Sequence, residues 1–176
     1  MRIERLRTEL DVEVSLRHFP LHPDTPPEGM TLERLFAGRG PGTLSQADLQ
    51  ALAHAEGLPY GDRTMTYNSR LAQELGSWAE TVASDHPLHD ALYRAYFVDG
   101  LNLAEADVLV AVAESVGLNP AEARDVLDRR RFREAVDTDW QRSHELGIRG
   151  VPTFVVGERM LVGARPYEAL VELISA

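Results

Sequence analysis

The sequence predicts an α/β fold with strands near both ends and a large helical insert in the middle. Three observations carry this. Val12, Val14 and Leu16 alternate with polar residues close to the start, the period of a strand. Through the middle of the chain, apolar residues recur at three- and four-residue spacings, the period of packed helices. Near the end, the β-rich runs Thr153–Val156 and Arg159–Val162 are separated only by Gly157-Glu158, a hairpin turn that opens on glycine.

Taken in order, residues 2–10 read as the end of a helix, with Ile3, Leu6 and Leu10 on one stripe. Residues 12–18 read as a strand. The run Pro20-Leu21-His22-Pro23-Asp24-Thr25-Pro26-Pro27 is too rich in proline to donate a ladder or continue a helix, so it is a long ordered loop. Ser45 with Asp48 opens a helix carrying Leu49, Leu52 and Ala53. Leu71, Leu75, Trp78 and Val82 make the next stripe; Leu88, Ala91, Leu92, Ala95 and Tyr96 the third; Leu109, Val112, Ala113 and Val116 the fourth. Gly100-Leu101-Asn102 and Gly117-Leu118-Asn119 each stop one helix and restart another. Asn caps the new helix, Glu105 or Glu122 reaches back, and Pro120 takes a first helical position. A helix ends at Leu146-Gly147, and Gly163 leads to a last helix with Tyr167, Leu170, Val171 and Ile174 on one face.

Composition narrows the function. The 176 residues are 44% hydrophobic and 26% charged, with no run long enough to span a membrane. Residues 1–7 carry positive charge but no apolar stretch follows, so no secretory signal is read and a cytoplasmic protein is expected. The net charge of −10 repels phosphate backbones, and no nucleic-acid partner is expected. The run Arg129-Arg130-Arg131 lies among Asp125, Asp128, Glu134 and Asp137 and reads as a salt-bridged helix face. There is no cysteine, so these residues can form no disulfide, thiolate metal site or cysteine nucleophile. The six histidines (His18, His22, His54, His86, His89, His144) fall in no ligand spacing, and no metal is expected.

Gly150-Val151-Pro152-Thr153-Phe154, just before the hairpin, is the sharpest motif; its plain alternative is a turn before an edge strand. With it run Phe19-Pro20-Leu21-His22-Pro23 followed by Gly29, Tyr67-Asn68-Ser69-Arg70-Leu71-Ala72, Ala95-Tyr96-Phe97-Val98-Asp99-Gly100, and Val162-Gly163-Ala164-Arg165-Pro166. In this order the motifs resemble the DsbA-like thioredoxin family, most closely its FrnE-type branch. The resemblance implies a thioredoxin fold with an all-helical domain inserted after the second strand. It implies a thioredoxin part at 1–30, the insert at 31–130 and a returning thioredoxin part at 131–176. It also implies a cis Val151–Pro152 bond and a substrate groove where Val151, Pro152 and Thr153 pair with an extended substrate. Asn68 and Arg70 would open the insert's first helix near that groove; their plain reading is a helix cap and a solvated cation. His18 and His22 would sit on a loop facing it.

Two departures stand out. The family begins with a strand and then a Cys-Pro-x-Cys motif at a helix N-terminus, where the helix dipole favours a thiolate. Here Ile3-Glu4-Arg5-Leu6 matches the second half of that helix, so the first strand and the motif are missing from this chain. The expectation is a natural polypeptide that starts upstream of Met1, or a homodimer or other partner that supplies the strand. Glutathione-using relatives, the kappa-class transferases and hydroxychromene carboxylate isomerases, usually carry a polar residue and Asp where this chain has Ala164 and Arg165. Arg165 remains able to grip a carboxylate, which keeps glutathione open as a cofactor. Three readings follow from the resemblance. One is a thiol–disulfide oxidoreductase acting on a thiol- or disulfide-containing protein or small molecule, redox-inactive in these residues. The others are a glutathione-dependent isomerase or transferase, and a non-catalytic peptide- or partner-binding domain.

Overall fold

The computed structural model describes residues 2–37, 45–83 and 86–175. The chain divides into two compact units, Met1–Leu21 with Asp137–Ala176, and His22–Val136. The expected boundaries at 30/31 and 130/131 thus compare with 21/22 and 136/137.

The unit at His22–Val136 is mostly helical. Its elements are β1 (Met30–Thr31), α2 (Leu32–Phe36), α3 (Gln46–Ala55), β2 (Met65–Thr66), α4 (Arg70–Val82), α5 (Leu88–Tyr93), a π-helical turn (Arg94–Val98), α6 (Ala106–Ser115) and α7 (Pro120–Asp128). The three stripes read after residue 70 meet in one core: Leu75 and Trp78 from α4, Leu88 and Leu92 from α5, Leu109 and Val112 from α6, and Ala123 and Val126 from α7. Val82 ends its stripe exposed, because α4 outruns the core there. The expected α3 forms and is capped reciprocally by Ser45 and Asp48. Its stripe is shallow, with Leu49 and Ala53 half-buried and Leu52 exposed. Asn119 caps α7 by accepting from Ala121 and Glu122, with Pro120 in the first turn. Asn102 differs from its expected role. It accepts from Ala104 and binds the Glu105 carboxylate, opening a turn that precedes α6 rather than capping that helix.

The π-helical turn has a visible cause. Phe97 offers its carbonyl to Gly61 N–H at 2.8 Å, which brings another backbone flush against the turn. On the same turn Tyr96 and Phe97, with Tyr60, surround the buried guanidinium of Arg63. That group lies 4.4 Å from the Tyr96 ring centre and donates to the Tyr60 hydroxyl. Wide turns of this kind expose carbonyls that a regular helix would bond internally.

The second unit holds α1 (Arg2–Leu10), the hairpin β3 (Thr153–Val156) and β4 (Arg159–Val162), and α9 (Tyr167–Ser175). The helix α8 (Arg133–Glu145) contributes residues to each unit. α1 is tied to α9 by polar contacts: the Tyr167 hydroxyl donates to Glu9 at 2.6 Å, and Arg5 lies 3.8 Å over the Tyr167 ring. Arg5, and then Tyr167, hold the Glu9 carboxyl below its ordinary pKa. The hairpin has the expected register, Val156 opposite Arg159 and Thr153 opposite Val162, with Gly157 at φ 60 in the turn.

One expectation fails. Residues 12–18 form no strand, although they leave α1 through Asp11 at φ 50 and carry no helix. A strand needs a ladder partner, and among the described residues no backbone–backbone hydrogen bond joins 12–17 to another segment. Side chains hold the segment instead: buried Asp139 accepts from His18 N–H at 3.0 Å and pairs with Arg17, while Arg7 donates to the Val14 carbonyl.

The close approach at Gly61 gives a test. A Cβ there would stand well inside van der Waals contact of the Val98 carbonyl oxygen. Gly61→Ala is expected to destabilise the fold by about 1–3 kcal/mol, as overpacking does, measured by urea denaturation; an unchanged midpoint would show that the turn can yield.

Candidate functional site

The loop before the hairpin carries the first group of expected site residues. Val151 and Pro152 are exposed and Thr153 is half-buried. The Val151–Pro152 peptide bond is cis. Thr153 Oγ1 donates to Gly150 O at 2.7 Å, and Gly163 N–H donates to Pro152 O at 2.8 Å, so the loop is fastened at both sides of the proline. The hairpin presents a one-sided apolar surface. Phe154, Val156 and Leu161 are half-buried on one face, while Val155, Met160 and Val162 are exposed on the other. Arg165, three residues beyond β4, spends its Nε on the Val162 carbonyl at 2.9 Å. Ala164, beside it, carries no polar side chain.

Asn68 and Arg70 lie in the helical unit, and the structure gives each a framework task there. Asn68 Nδ2 donates to the carbonyls of Pro23 and Thr25, while its Oδ1 accepts from Arg70 N–H. One side chain therefore pins the Pro-rich loop to the start of α4. Thr25 is itself buried. Arg70 turns inward: Nε donates to Glu74 at 2.7 Å and Nη2 to the Arg133 carbonyl at 2.8 Å. It is a clamped cation rather than a solvated one.

Sequence reading missed the partner. Glu74 is completely buried on α4, and Arg130 reaches it with two further bonds, Nε to Oε2 at 2.7 Å and Nη2 to Oε1 at 2.6 Å. The Arg run is thus only partly a surface feature. Arg129 and Arg131 pair with Asp125 on the outside, and Arg130, at φ 51, turns to the core. A non-glycine residue in the left-handed region costs about 1–2 kcal/mol, which the paired contacts to a buried carboxylate offset. Burial pushes the Glu74 carboxyl up, but Arg130 and Arg70 outweigh it and hold it below the ordinary value. The only sequence signal was the acidic residue four positions after Arg70, a spacing that places the two on one helix face.

Comparison with known proteins now decides the family. The DSBA-like thioredoxin domain matches residues 1–175. The chain belongs to that family. It is similar to a Streptomyces coelicolor protein described as a "probable DsbA oxidoreductase", with 29% identity, a TM-score of 0.83, and coverage of 99% of this chain and 80% of that one. It is also similar to the Bacillus subtilis protein YwbO, 25% identical over 170 residues, 94% of this chain and 82% of YwbO. A 2-hydroxychromene-2-carboxylate isomerase shares the fold, with a TM-score of 0.62 at 19% identity, covering 99% of this chain and 84% of the isomerase. The DsbA-like chain described here is therefore a thioredoxin-fold protein of a thiol–disulfide oxidoreductase family, and its 176 residues contain no thiol.

The buried carboxylate gives the pH prediction. Its folded pKa lies below the unfolded value, so its contribution is present above about pH 4.3 and fades as the pH falls through the folded pKa. Arg130→Met should cost about 1–3 kcal/mol at pH 7, and the gap from the parent should narrow in acid. Denaturation of both proteins at pH 7 and pH 3 measures this; a gap that is constant with pH would mean Glu74 is not charged in the fold.

Proposed function

We propose that these residues supply the substrate-recognition part of DsbA-like thiol–disulfide chemistry. They would hold an extended, disulfide- or thiol-bearing polypeptide against Val151, Pro152 and Thr153. The observation that carries the reading is the exposed, well-fastened loop leading into β3, whose outward backbone groups meet no partner among the described residues, in a chain of this family. Backbone groups at such an edge pair with any extended chain, and neighbouring side chains then select it. Val151 supplies apolar contact. Asn68 and Arg70 enter the reading by shaping the helical unit rather than by offering free polar groups.

The chemistry itself follows from what exchange needs. A thiolate attacks one sulfur of the substrate disulfide, a mixed disulfide forms, and the other sulfur leaves as thiolate. With no sulfur nucleophile in these residues, the first bond cannot form here, so any turnover needs a thiol from elsewhere. The FrnE-type branch and the cytoplasm belong to the same proposal, supported by the run of matching motifs and by the absence of any membrane-crossing helix among the described residues.

The 176-residue chain should show no dithiol-dependent insulin reduction above the uncatalysed rate. It should nevertheless bind an unfolded, disulfide-bearing polypeptide, followed by fluorescence anisotropy. Val151→Asp, at an exposed position, should weaken that binding about tenfold, the effect of losing one well-placed apolar contact. Turnover by the cysteine-free chain, or binding indifferent to Val151→Asp, would overturn the reading.

A further inference from the structure

The buried charge at Glu74 has its opposites beside it, Arg70 and Arg130. Arg63 has none. It is only 9% exposed, and no carboxylate among the described residues pairs with it. Asp62, its neighbour in sequence, is exposed. A guanidinium is all donor and no acceptor. Arg63 gives one hydrogen bond to the Tyr60 hydroxyl at 3.2 Å and one to the Met65 carbonyl at a long 3.4 Å. Its Nε is buried and donates to no protein group among the described residues.

What surrounds this cation is aromatic. The guanidinium carbon lies 4.4 Å from the centre of the Tyr96 ring, 4.7 Å from that of Phe97 and 5.8 Å from that of Tyr60. Ring faces attract a cation, but they leave its in-plane N–H groups without an acceptor. The nearby hydroxyls do not supply one. Those of Tyr96 and Thr66 bond each other at 2.8 Å, and Tyr93 donates to the Pro59 carbonyl at 3.0 Å. Tyr60 accepts from Arg63, which leaves its own O–H to donate. An unmatched Nε–H beside an unmatched phenolic O–H is a set of donors that calls for an anion. Tyr60, Tyr96 and Phe97 are each half-buried, so the cage lies at the margin of the helical unit, within reach of a small solute.

We propose that Arg63 and the Tyr60 hydroxyl form a binding site for a small monocarboxylate. The carboxylate accepts from Arg63 Nε–H and from Tyr60 O–H, and its charge neutralises a guanidinium that burial otherwise leaves uncompensated. A carboxylate suits the cage better than a phosphate. The walls are apolar rings, a single charge sheds less hydration than a double one, and a chain of net charge −10 repels a dianion more strongly. Tyr96 and Phe97 belong to the π-helical turn, and Phe97 also holds Gly61 N–H through its carbonyl. An anion seated on Arg63 therefore fastens that turn to the segment around Tyr60. The site lies wholly within the helical unit and does not rest on the reading of Val151.

Titration of the whole isotope-labelled chain with acetate, at neutral pH and constant ionic strength, tests it. The readouts are the Arg63 Nε–H nuclear magnetic resonance and the thermal midpoint. Acetate should move the resonance saturably and raise the midpoint, since a ligand of the folded state stabilises it. Chloride should do neither. Tyr60→Phe keeps the ring and removes the hydroxyl; it should weaken acetate binding at least about tenfold, the effect of one hydrogen bond to a charged group. Arg63→Lys keeps the charge but loses the planar set of donors, and should weaken binding as much. Circular dichroism verifies that each variant folds. A shift that follows chloride as closely as acetate would mean that water alone satisfies Nε, and would overturn the proposal. Phosphate binding more tightly than acetate, or acetate binding unchanged by Tyr60→Phe, would overturn it too.

Discussion

The helical unit depends on one buried carboxylate. Glu74 sits in the middle of α4 with no exposure to water, and an uncompensated charge there would be far too costly to keep. Two guanidinium groups compensate it. Arg70, one turn earlier on the same helix, sets the near side, and Arg130, just after α7, brings in a segment distant in sequence. The arrangement constrains more than charge. Arg130 must adopt a left-handed backbone to reach inward, and that turn directs the chain from α7 into α8. Arg70 also binds the Arg133 carbonyl near the start of α8, so the beginning of α4 and the α7–α8 connection are held by the same cluster. Asn68, two residues before Arg70, fastens the Pro-rich loop to the same place.

The hairpin unit is held differently. It has one small sheet and a single fully buried apolar side chain on each of its flanking helices, Leu6 on α1 and Leu170 on α9. Polar contacts at exposed positions, such as Glu9 with Arg5 and Tyr167, add modest stability because solvent screens them. A sheet of two strands is marginal without packing against a helix; α9 packs against both strands of this one, and Val155, Met160 and Val162 stay exposed. Val151 and Pro152, at the entry to β3, are exposed as well.

Much of this was legible in the residues. Helical periodicity located α4, α5 and α6, because those stripes really do face one another, and the Asn119-Pro120 start located α7. Periodicity located α3 as well, but gave no sign of how shallowly its stripe is buried, with Leu49 and Ala53 half-buried and Leu52 exposed. The hairpin was legible because a glycine-first turn between two β-rich runs leaves the backbone few alternatives. The segment at 12–18 was misread for the opposite reason: alternation reports a preference for an extended backbone, while a strand exists only where a second backbone pairs with it. The site divided in the same way. The Val151–Thr153 loop could be located from its motif. The inward turn of Arg130 could not, because nothing in three consecutive arginines distinguishes the one that reaches Glu74 from the two that stay with Asp125.

The helical unit set by the Glu74 cluster should open as one cooperative body, and the hairpin, held by its own contacts, should open separately. Native-state hydrogen exchange measures this residue by residue, since protection reports the free energy of the opening that exposes each amide. Amides around Leu75 and Val126 should be the most protected and should lose protection together in the Arg130→Met variant. Amides of Phe154 and Leu161, inside the hairpin ladder, should exchange faster than these and respond little to that change. Equal protection in both places, falling equally in the variant, would contradict it.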